Sequence, residues 1–452
     1  MLAKAFRNFM IRRTISAKLR NRGMNTFSNH EILVNLRKSS EEKREEENRP
    51  HEVIYFHKVD DPYSHLTIHF VDKLLSTFDI TLVPILVGEE DSDSVHEPTL
   101  YNKYCLEDAT RIAPYYGIDF SPDSHPRQTL VDLSNAILTA VEPHKFIELA
   151  RTVSKALWQE DENTLKELSK EYNSTESEVS QNLKEGNSIR NEKGYYFGSA
   201  FYYEKELYWG VDRIHHLEDR LIELGVKNDL INEPICAPRL KSPVSFESSK
   251  KVDLHYYPSL NSPYTYVSAK RVRELRDNYP VNLVTRPVLP MLMRNMTIPQ
   301  YKAKYIISDA AREGRKNDYP MGEIYSPIGK PARKAYSLFP AIDEAGKGFE
   351  YIDELLRASF YEGINIGEDE YLQSLVESLN LDWSFIKKDL NSRKWKKVLD
   401  QNLQDMYAGN CWGVPSFKIT DQDGSNPFYL WGQDRMWLLK EEIFKRIGSP
   451  DD

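Results

Sequence analysis

Cysteine is scarce in this sequence, and its spacing argues against two common kinds of site. The three cysteines, Cys105, Cys236 and Cys411, lie far apart, and none belongs to a Cys-x-x-Cys pair. A dithiol redox centre and a zinc knuckle both need closely spaced cysteines, so the sequence predicts neither. An odd, unpaired set suits a reducing compartment, and we therefore expect a cytoplasmic protein.

Long apolar runs and an excess of positive charge are also missing. No stretch approaches the roughly 18 to 20 apolar residues of a membrane-spanning helix, so no membrane span is predicted. The net charge of −9 argues against nucleic acid as a partner. Residues 1–30 differ from the rest because they hold seven Lys and Arg and no acidic residue. They are either a basic surface helix or a mitochondrial-type presequence, which would change the compartment.

Histidines do not supply a metal site in this pattern. His65 and His69 are four residues apart on a predicted helix, but no third ligand is evident, and we expect no bound metal.

The length of the chain fits two domains of about 200 residues each. We expect a basic segment and a charged linker at 1–50, with the charge run at 38–49. A first domain follows at 51–225, then a Pro- and Ser-containing linker at 226–250 and a second domain at 251–452.

The same short sequence motifs occur twice along the chain. Trp-Gly-x-Asp-Arg stands at 209–213 and again at 431–435, in each case before a predicted helix. Asp-Pro-Tyr-Ser at 61–64 corresponds to Ser-Pro-Tyr-Thr at 262–265. In both copies an Asp-x-x-Arg pair begins 47 positions after the first residue of this motif. Identical order and spacing indicate an internal duplication.

The second copy ends in a predicted β-hairpin followed by a helix. Gly413-Val414-Pro415-Ser416-Phe417 opens the hairpin. Pro415 belongs at the start of a strand because proline cannot donate to the ladder, and a cis bond there would leave neighbouring backbone groups available to a ligand. Asp434, at the first turn of the closing helix, can receive an ammonium group. The simpler alternative for both residues is an ordinary turn and cap.

The second copy resembles the 2-hydroxychromene-2-carboxylate isomerases and kappa-class glutathione transferases, which are DsbA-like thioredoxin folds with a helical insertion. The resemblance covers about 251–447, and the first copy resembles the fold more weakly. It implies an α/β protein with two tandem thioredoxin-like (DsbA-like) domains, each with a helical insertion. The matching residues are Ser262-Pro263-Tyr264, Asp309 with Arg312, Gly413 to Phe417 and Trp431 to Arg435.

The resemblance also implies reduced glutathione as the cofactor. Ser262 matches the catalytic serine whose hydroxyl holds the glutathione sulfur, although a good helix N-cap is its alternative role. Val414 would pair through its backbone with the cysteinyl unit. The remaining matches are the cis-proline Pro415, Gln433 and Asp434 for the γ-glutamyl unit, and Asn295 as a looser polar contact.

These matches predict a glutathione-dependent isomerase or transferase that acts on a small electrophilic or unsaturated molecule, aromatic ones included. Asp61 in place of the serine, and Ala200 in place of the proline, indicate that the first copy has lost the site. That copy would then serve as the second half of a pseudo-dimer within one chain. The alternative function is a non-catalytic binding or scaffold protein. Disulfide oxidoreductase activity is disfavoured because neither helix start carries cysteine.

Overall fold

A computed structural model describes residues 14–90, 93–228, 234–236 and 248–448. Most of the predicted linker at 226–250 and the first part of the basic segment lie outside these residues. The chain forms two compact units. The N-terminal unit comprises the described residues of 33–95 and 102–239, and the C-terminal unit comprises those of 14–32, 96–101 and 240–448.

A four-stranded sheet organises the N-terminal unit, with strand order β2-β1-β3-β4. Strand β1 pairs parallel with β2 and antiparallel with β3, which pairs antiparallel with β4. The strands are β1 (Glu52–His57), β2 (Thr81–Leu86), β3 (Ala200–Tyr203) and β4 (Glu206–Trp209). Helix α1 (Thr14–Ser28) belongs to the C-terminal unit. The helices that follow it are α2 (His30–Glu46), α3 (Pro62–Thr77), α4 (Pro98–Ile112), α5 (Gln128–Thr139), α6 (Phe146–Trp158), α7 (Glu162–Leu168), α8 (Glu176–Glu192) and α9 (Ile214–Glu223). Helix α4 begins within residues assigned to the C-terminal unit.

The C-terminal unit repeats this topology with strand order β6-β5-β7-β8. Its strands are β5 (Val252–Tyr257), β6 (Val281–Thr285), β7 (Ser416–Asp421) and β8 (Phe428–Trp431). Its later helices are α10 (Pro263–Asn278), α11 (Gln300–Lys316), α12 (Lys330–Glu344), α13 (Gly348–Phe360), α14 (Asp369–Ser378), α15 (Trp383–Ile386), α16 (Lys394–Ala408) and α17 (Met436–Ile447). The predicted fold class is confirmed: each unit is a thioredoxin-like sheet interrupted by a helical insertion.

The insertion of the C-terminal unit contributes much of its core. Fully buried side chains from α12 and α13, such as Tyr336, Phe339 and Leu355, pack with Tyr266 and Val267 of α10. Burying such apolar side chains is worth about 1.5–3 kcal/mol each, so the insertion and α10 stabilise one another. Among the described residues, no helix is both long and apolar enough to cross a membrane.

The charge run at 38–49 was predicted as a linker, and most of it is instead the second half of helix α2. Oppositely charged residues three or four positions apart share a helical face, and here they pair. Glu41 lies 2.6 Å from Arg44, and Lys43 lies 3.6 Å from Glu47. The alternating signs therefore support a solvated helix.

Two asparagines attach helix α1 to the C-terminal unit. The Asn25 side chain donates to the Ile324 carbonyl at 3.0 Å and accepts from the Ile324 amide at 2.8 Å. Asn21 accepts from the Ser326 amide at 2.9 Å. Because these bonds satisfy backbone groups that no strand pairs, part of the basic N-terminal segment belongs to a folded unit.

Candidate functional site

Ser262 and Val414, 152 positions apart in the chain, meet in the C-terminal unit. Ser262 is the N-cap of α10, and its hydroxyl accepts from the Thr265 amide at 3.2 Å. The same hydroxyl donates to the Val414 carbonyl at 3.4 Å. A hydroxyl at this place is held at the positive end of a 16-residue helix, where negative charge is stabilised. The N-cap role and the proposed sulfur contact are therefore compatible.

The Val414–Pro415 peptide bond is cis, as predicted. Pro415 directly precedes β7, and its carbonyl accepts from the Gly432 amide at 2.9 Å. Gly413 lets the loop lie against Trp431, since a Cβ at that position would come within 2.4 Å of the indole ring. The loop at 413–415 and the turn at 431–434 are thus fastened to each other.

Gln433 lies inside this turn and is only 1% exposed. Its amide nitrogen donates to Glu313 at 2.9 Å and to Asp434 at 2.5 Å. Its amide oxygen accepts from Arg271, which also donates to the Gln433 carbonyl at 3.3 Å. The side chain is therefore engaged within the protein on both its oxygen and its nitrogen, while Asp434 is only partly buried.

Arg271 and Glu313 were not found from the sequence. Arg271 lies on α10, the helix that Ser262 caps, and Glu313 lies on α11 and is 6% exposed. Helix α10 consequently holds both Ser262 at its start and the arginine that binds the turn of Asp434. The distance along the chain, 120 positions between Glu313 and Gln433, concealed this contact.

The repeated Asp-x-x-Arg pair also has a structural role. The Tyr264 hydroxyl donates to the buried Asp309 carboxylate at 2.7 Å, and Arg312 lies 2.5 Å from the same carboxylate. In the N-terminal unit the Tyr63 hydroxyl donates to buried Asp108 at 2.8 Å. Each unit therefore joins the helix that follows its first strand to its insertion by a Tyr–Asp bond, and the two bonded residues are 45 positions apart in both units.

Asn295 has a less defined position than the other predicted contacts. It is exposed, with a left-handed backbone at φ 68°, and follows a short 3-10 helix at Met291–Arg294. Its neighbour Arg294 donates to the Trp412 carbonyl at 3.1 Å, so this segment borders the loop that leads to Val414. The structure brings Ser262, Val414, Pro415, Gln433 and Asp434 into one bonded frame.

A cationic cluster adjoins the loop and was also not predicted. The Lys302 ammonium lies 5.4 Å from the Trp412 ring centroid, and burial lowers the pKa of this lysine to about 8. Burial also lowers the pKa of Arg294. The Nε atoms of Arg294 and the Trp412 indole are buried without a hydrogen-bond partner among the described residues. Such donors can bind the carboxylate of a small ligand.

The equivalent site in the N-terminal unit is built differently. Asp61 caps α3, accepting from the amides of Tyr63 and Ser64 and from the Ser64 hydroxyl. Burial raises the pKa of Asp61 to about 6. A carboxylate at this position would repel a thiolate when ionised, in agreement with the prediction that this copy lacks the activating hydroxyl.

One predicted equivalence in that unit is wrong by one residue. Ala200 was assigned to the position of Pro415, but Phe56 pairs with Ala200 as Tyr257 pairs with Ser416. Ser199 therefore stands at the proline position, and its carbonyl accepts from the Gly210 amide at 2.6 Å, as that of Pro415 does from Gly432. The proline is still absent, so the inference of a lost site does not change.

Comparison with protein families identifies the region that contains these residues. Residues 253–444 match the model of the DSBA-like thioredoxin domain. The tandem duplication stays a prediction, since this match covers only the C-terminal unit, although the two sheets share one topology.

Individual similar proteins match only part of the chain. The uncharacterized protein YwbO of Bacillus subtilis is 34% identical over 88 residues, which are 19% of this chain and 44% of that protein. The chain therefore spans less than half the length of this curated relative.

Two solved structures are also similar. A 2-hydroxychromene-2-carboxylate isomerase is 18% identical, with a TM-score of 0.36 over 43% of this chain and 95% of its own. The cytosolic disulfide reductase DsbM of Pseudomonas aeruginosa, solved with GSH, is 17% identical, with a TM-score of 0.32 over 43% and 99%.

Proposed function

We propose that the C-terminal unit binds glutathione and acts as a glutathione-dependent isomerase or transferase on a small electrophilic or unsaturated molecule. The observation that carries the proposal is the meeting of the Ser262 hydroxyl, at a helix N-terminus, with the Val414 carbonyl next to Pro415. The Cys-x-x-Cys pair of a dithiol oxidoreductase is absent from both helix starts, so a bound thiol has to supply the sulfur.

The chemistry of the donors fits a tripeptide. Backbone groups of Val414 suit the cysteinyl unit, and the Asp434 carboxylate suits an ammonium group. Buried unsatisfied donors on Arg294 and Trp412 suit a carboxylate. Together these residues offer an acceptor for the ammonium group, a backbone partner for the cysteinyl unit and donors for one of the two carboxylates of glutathione.

Held at Ser262 and Val414, glutathione would supply a thiolate for addition to an unsaturated carbon, with the electron pair of the broken π bond moving onto the substrate. Expulsion of the thiolate after bond rotation would restore the double bond and give isomerisation, and protonation of the adduct would give transfer. Ser262 favours the charged sulfur by donating a hydrogen bond to it, and for this its hydroxyl turns away from the Val414 carbonyl. A hydrogen bond to a charged group is worth about 1.5–3 kcal/mol, and one pKa unit is 1.36 kcal/mol. Ser262 therefore lowers the pKa of the thiol from about 8.5 by about 1–2 units.

Calorimetric titration of glutathione into the full chain tests this proposal. We expect saturable binding that weakens at least tenfold in Asp434→Ala, because the carboxylate that pairs with the α-ammonium of glutathione is lost. Asp212→Ala, the equivalent change in the N-terminal unit, is the matched control and is expected to bind normally. S-Methylglutathione should bind without the pH dependence that ionisation of the thiol gives to glutathione. No binding at millimolar glutathione would refute the proposal.

A non-catalytic binding role is the second candidate, and the N-terminal unit favours it. That unit retains the sheet, the Tyr63–Asp108 bond and a buried Arg213, while Asp61 and Ser199 replace Ser262 and Pro415. A chain that binds glutathione but turns over no electrophile in a panel of enones and aryl halides would support this role. We also propose a cytoplasmic location, because the three cysteines lie far apart in the sequence and include no Cys-x-x-Cys pair, which suits a reducing compartment.

A further inference from the structure

Gln433 and the residues bonded to it are polar in the C-terminal unit, and their equivalents in the N-terminal unit are apolar. In the C-terminal unit, Gln433 bonds to Arg271 and to Glu313. In the register that the two copies share, Phe70 is equivalent to Arg271, Ile112 to Glu313 and Val211 to Gln433. All three polar residues are thus replaced together by apolar ones in the unit that lacks the activating serine. Ile112 and Val211 are buried, at 0% and 3% exposure.

The apolar version holds the same backbone. The turn that contains Val211 keeps the Trp-Gly-x-Asp-Arg sequence, and Arg213 donates to the Asp212 carbonyl at 3.0 Å. Arg435 donates to the Asp434 carbonyl in the same way, at 3.4 Å. The fold of this turn therefore does not need the polar residues. Because buried polar groups are costly unless every one is bonded, an apolar set is the simpler way to fill the space.

The bonds among Arg271, Glu313 and Gln433 orient the Gln433 amide toward the Asp434 carboxylate. Gln433 receives Arg271 on its amide oxygen and divides its amide hydrogens between Glu313 and Asp434. With its oxygen engaged by Arg271 and one of its amide hydrogens by buried Glu313, the Gln433 amide has one orientation left toward Asp434. A carboxylate fixed in this way loses less rotational freedom when it binds an ammonium group.

We propose that Arg271, Glu313 and Gln433 are positioning residues that hold the Asp434 carboxylate in the orientation that selects γ-glutamyl thiols. Substrates of this class carry a free α-ammonium on a γ-linked glutamate, and cysteinylglycine is the matching thiol that lacks the γ-glutamyl unit. The inference rests on the proposed function and specifies which part of the ligand is recognised. Sequence reasoning had assigned Gln433 a direct contact, whereas here it acts through Asp434.

The test exchanges the set for its apolar counterpart. The triple variant Arg271→Phe, Glu313→Ile, Gln433→Val and the wild type are titrated with glutathione and with cysteinylglycine. The triple variant is expected to lose about tenfold to hundredfold in affinity for glutathione, and to change less than threefold for cysteinylglycine. Asp434→Ala should show the same loss, and adding it to the triple variant should cause little more, because the residues act in one network.

Controls separate positioning from stability. Arg276→Met removes another arginine of α10, one that pairs with Asp277 and Glu350, and should leave the preference for glutathione unchanged. Glu313→Gln keeps an acceptor for the Gln433 amide and should retain most of the preference, whereas Glu313→Leu should lose it. This pair also decides the question if the triple variant does not fold.

Each outcome has one meaning. A selective loss of glutathione affinity supports the inference. Equal loss for both thiols indicates a merely structural role and overturns it, and so does an unchanged preference in a folded triple variant or in Glu313→Leu. If the wild type binds neither thiol, the proposed function itself fails and this inference fails with it.

Discussion

Replacing Ser262 with alanine is expected to raise the pKa of the bound glutathione thiol by about 1–2 units. The lost hydroxyl bond to the thiolate is worth about 1.5–3 kcal/mol, and each unit of pKa corresponds to 1.36 kcal/mol. The contribution of the α10 dipole, about 0.3–1 kcal/mol, remains because Pro263 still begins the helix. Starting from about 8.5 for a free thiol, we expect a pKa of roughly 6.5–7.5 in the wild-type complex.

The same substitution also removes a helix cap, and the two effects have to be separated. Ser262 caps the Thr265 amide, so its loss is expected to lower the free energy of unfolding by about 0.5–2 kcal/mol. Asp61→Ala is the matched control, because Asp61 caps the equivalent helix in the N-terminal unit. It should cost similar stability without changing the thiol pKa. Ser262→Thr should preserve both the cap and the pKa.

The assay follows the ultraviolet absorbance of the thiolate against pH in saturated complexes. Ser262→Asp copies the N-terminal unit and is expected to raise the thiol pKa further than alanine does, since an ionised carboxylate repels a thiolate. An unchanged pKa in Ser262→Ala, with glutathione still bound, would refute the reasoning and leave Ser262 as a helix cap alone.

Three further predictions concern the stability of the folded chain. Burial lowers the pKa of His57 and of His65 to about 3, so the unfolded chain binds more protons between pH 6.5 and pH 3. Urea titrations should show stability falling by about 1.4 kcal/mol per pH unit for each histidine as the pH drops through this range, and a flat profile would contradict their burial. Tyr264→Phe removes the donor to buried Asp309 and should cost about 1.5–3 kcal/mol in the same titrations, with a loss under 0.5 kcal/mol counting against this bond. Lys302→Met should stabilise the chain at pH 7 by up to about 3 kcal/mol, because burial lowers the pKa of this lysine from 10.5 to about 8. This gain in stability should fall as the pH rises from 8 to 10.5. A variant less stable than the wild type would show that the buried ammonium is stabilised by its surroundings.

Local sequence determined the elements and their order in both units. Proline at the second position of Asp-Pro-Tyr and Ser-Pro-Tyr begins a helix, because its fixed φ suits the first helical turn. The repeated motifs lie on equivalent elements, and within the stretch whose register the two copies share, a Tyr–Asp bond joins residues 45 positions apart in each unit. These features depend on short-range geometry or on one conserved distance within the chain, and both can be read along it.

Tertiary structure alone decided the register and the buried polar contacts. A one-residue choice between Ser199 and Ala200 is settled by strand pairing, which the composition of a short apolar strand does not encode. The bonds of Gln433 to Arg271 and Glu313 join residues 162 and 120 positions apart. A signal for them existed in the apolar counterparts of the first copy, but only the folded contacts show why those three positions change together. Sequence therefore determined which residue types stand at the site, and long-range packing decided which of them face a ligand and which hold the others in place.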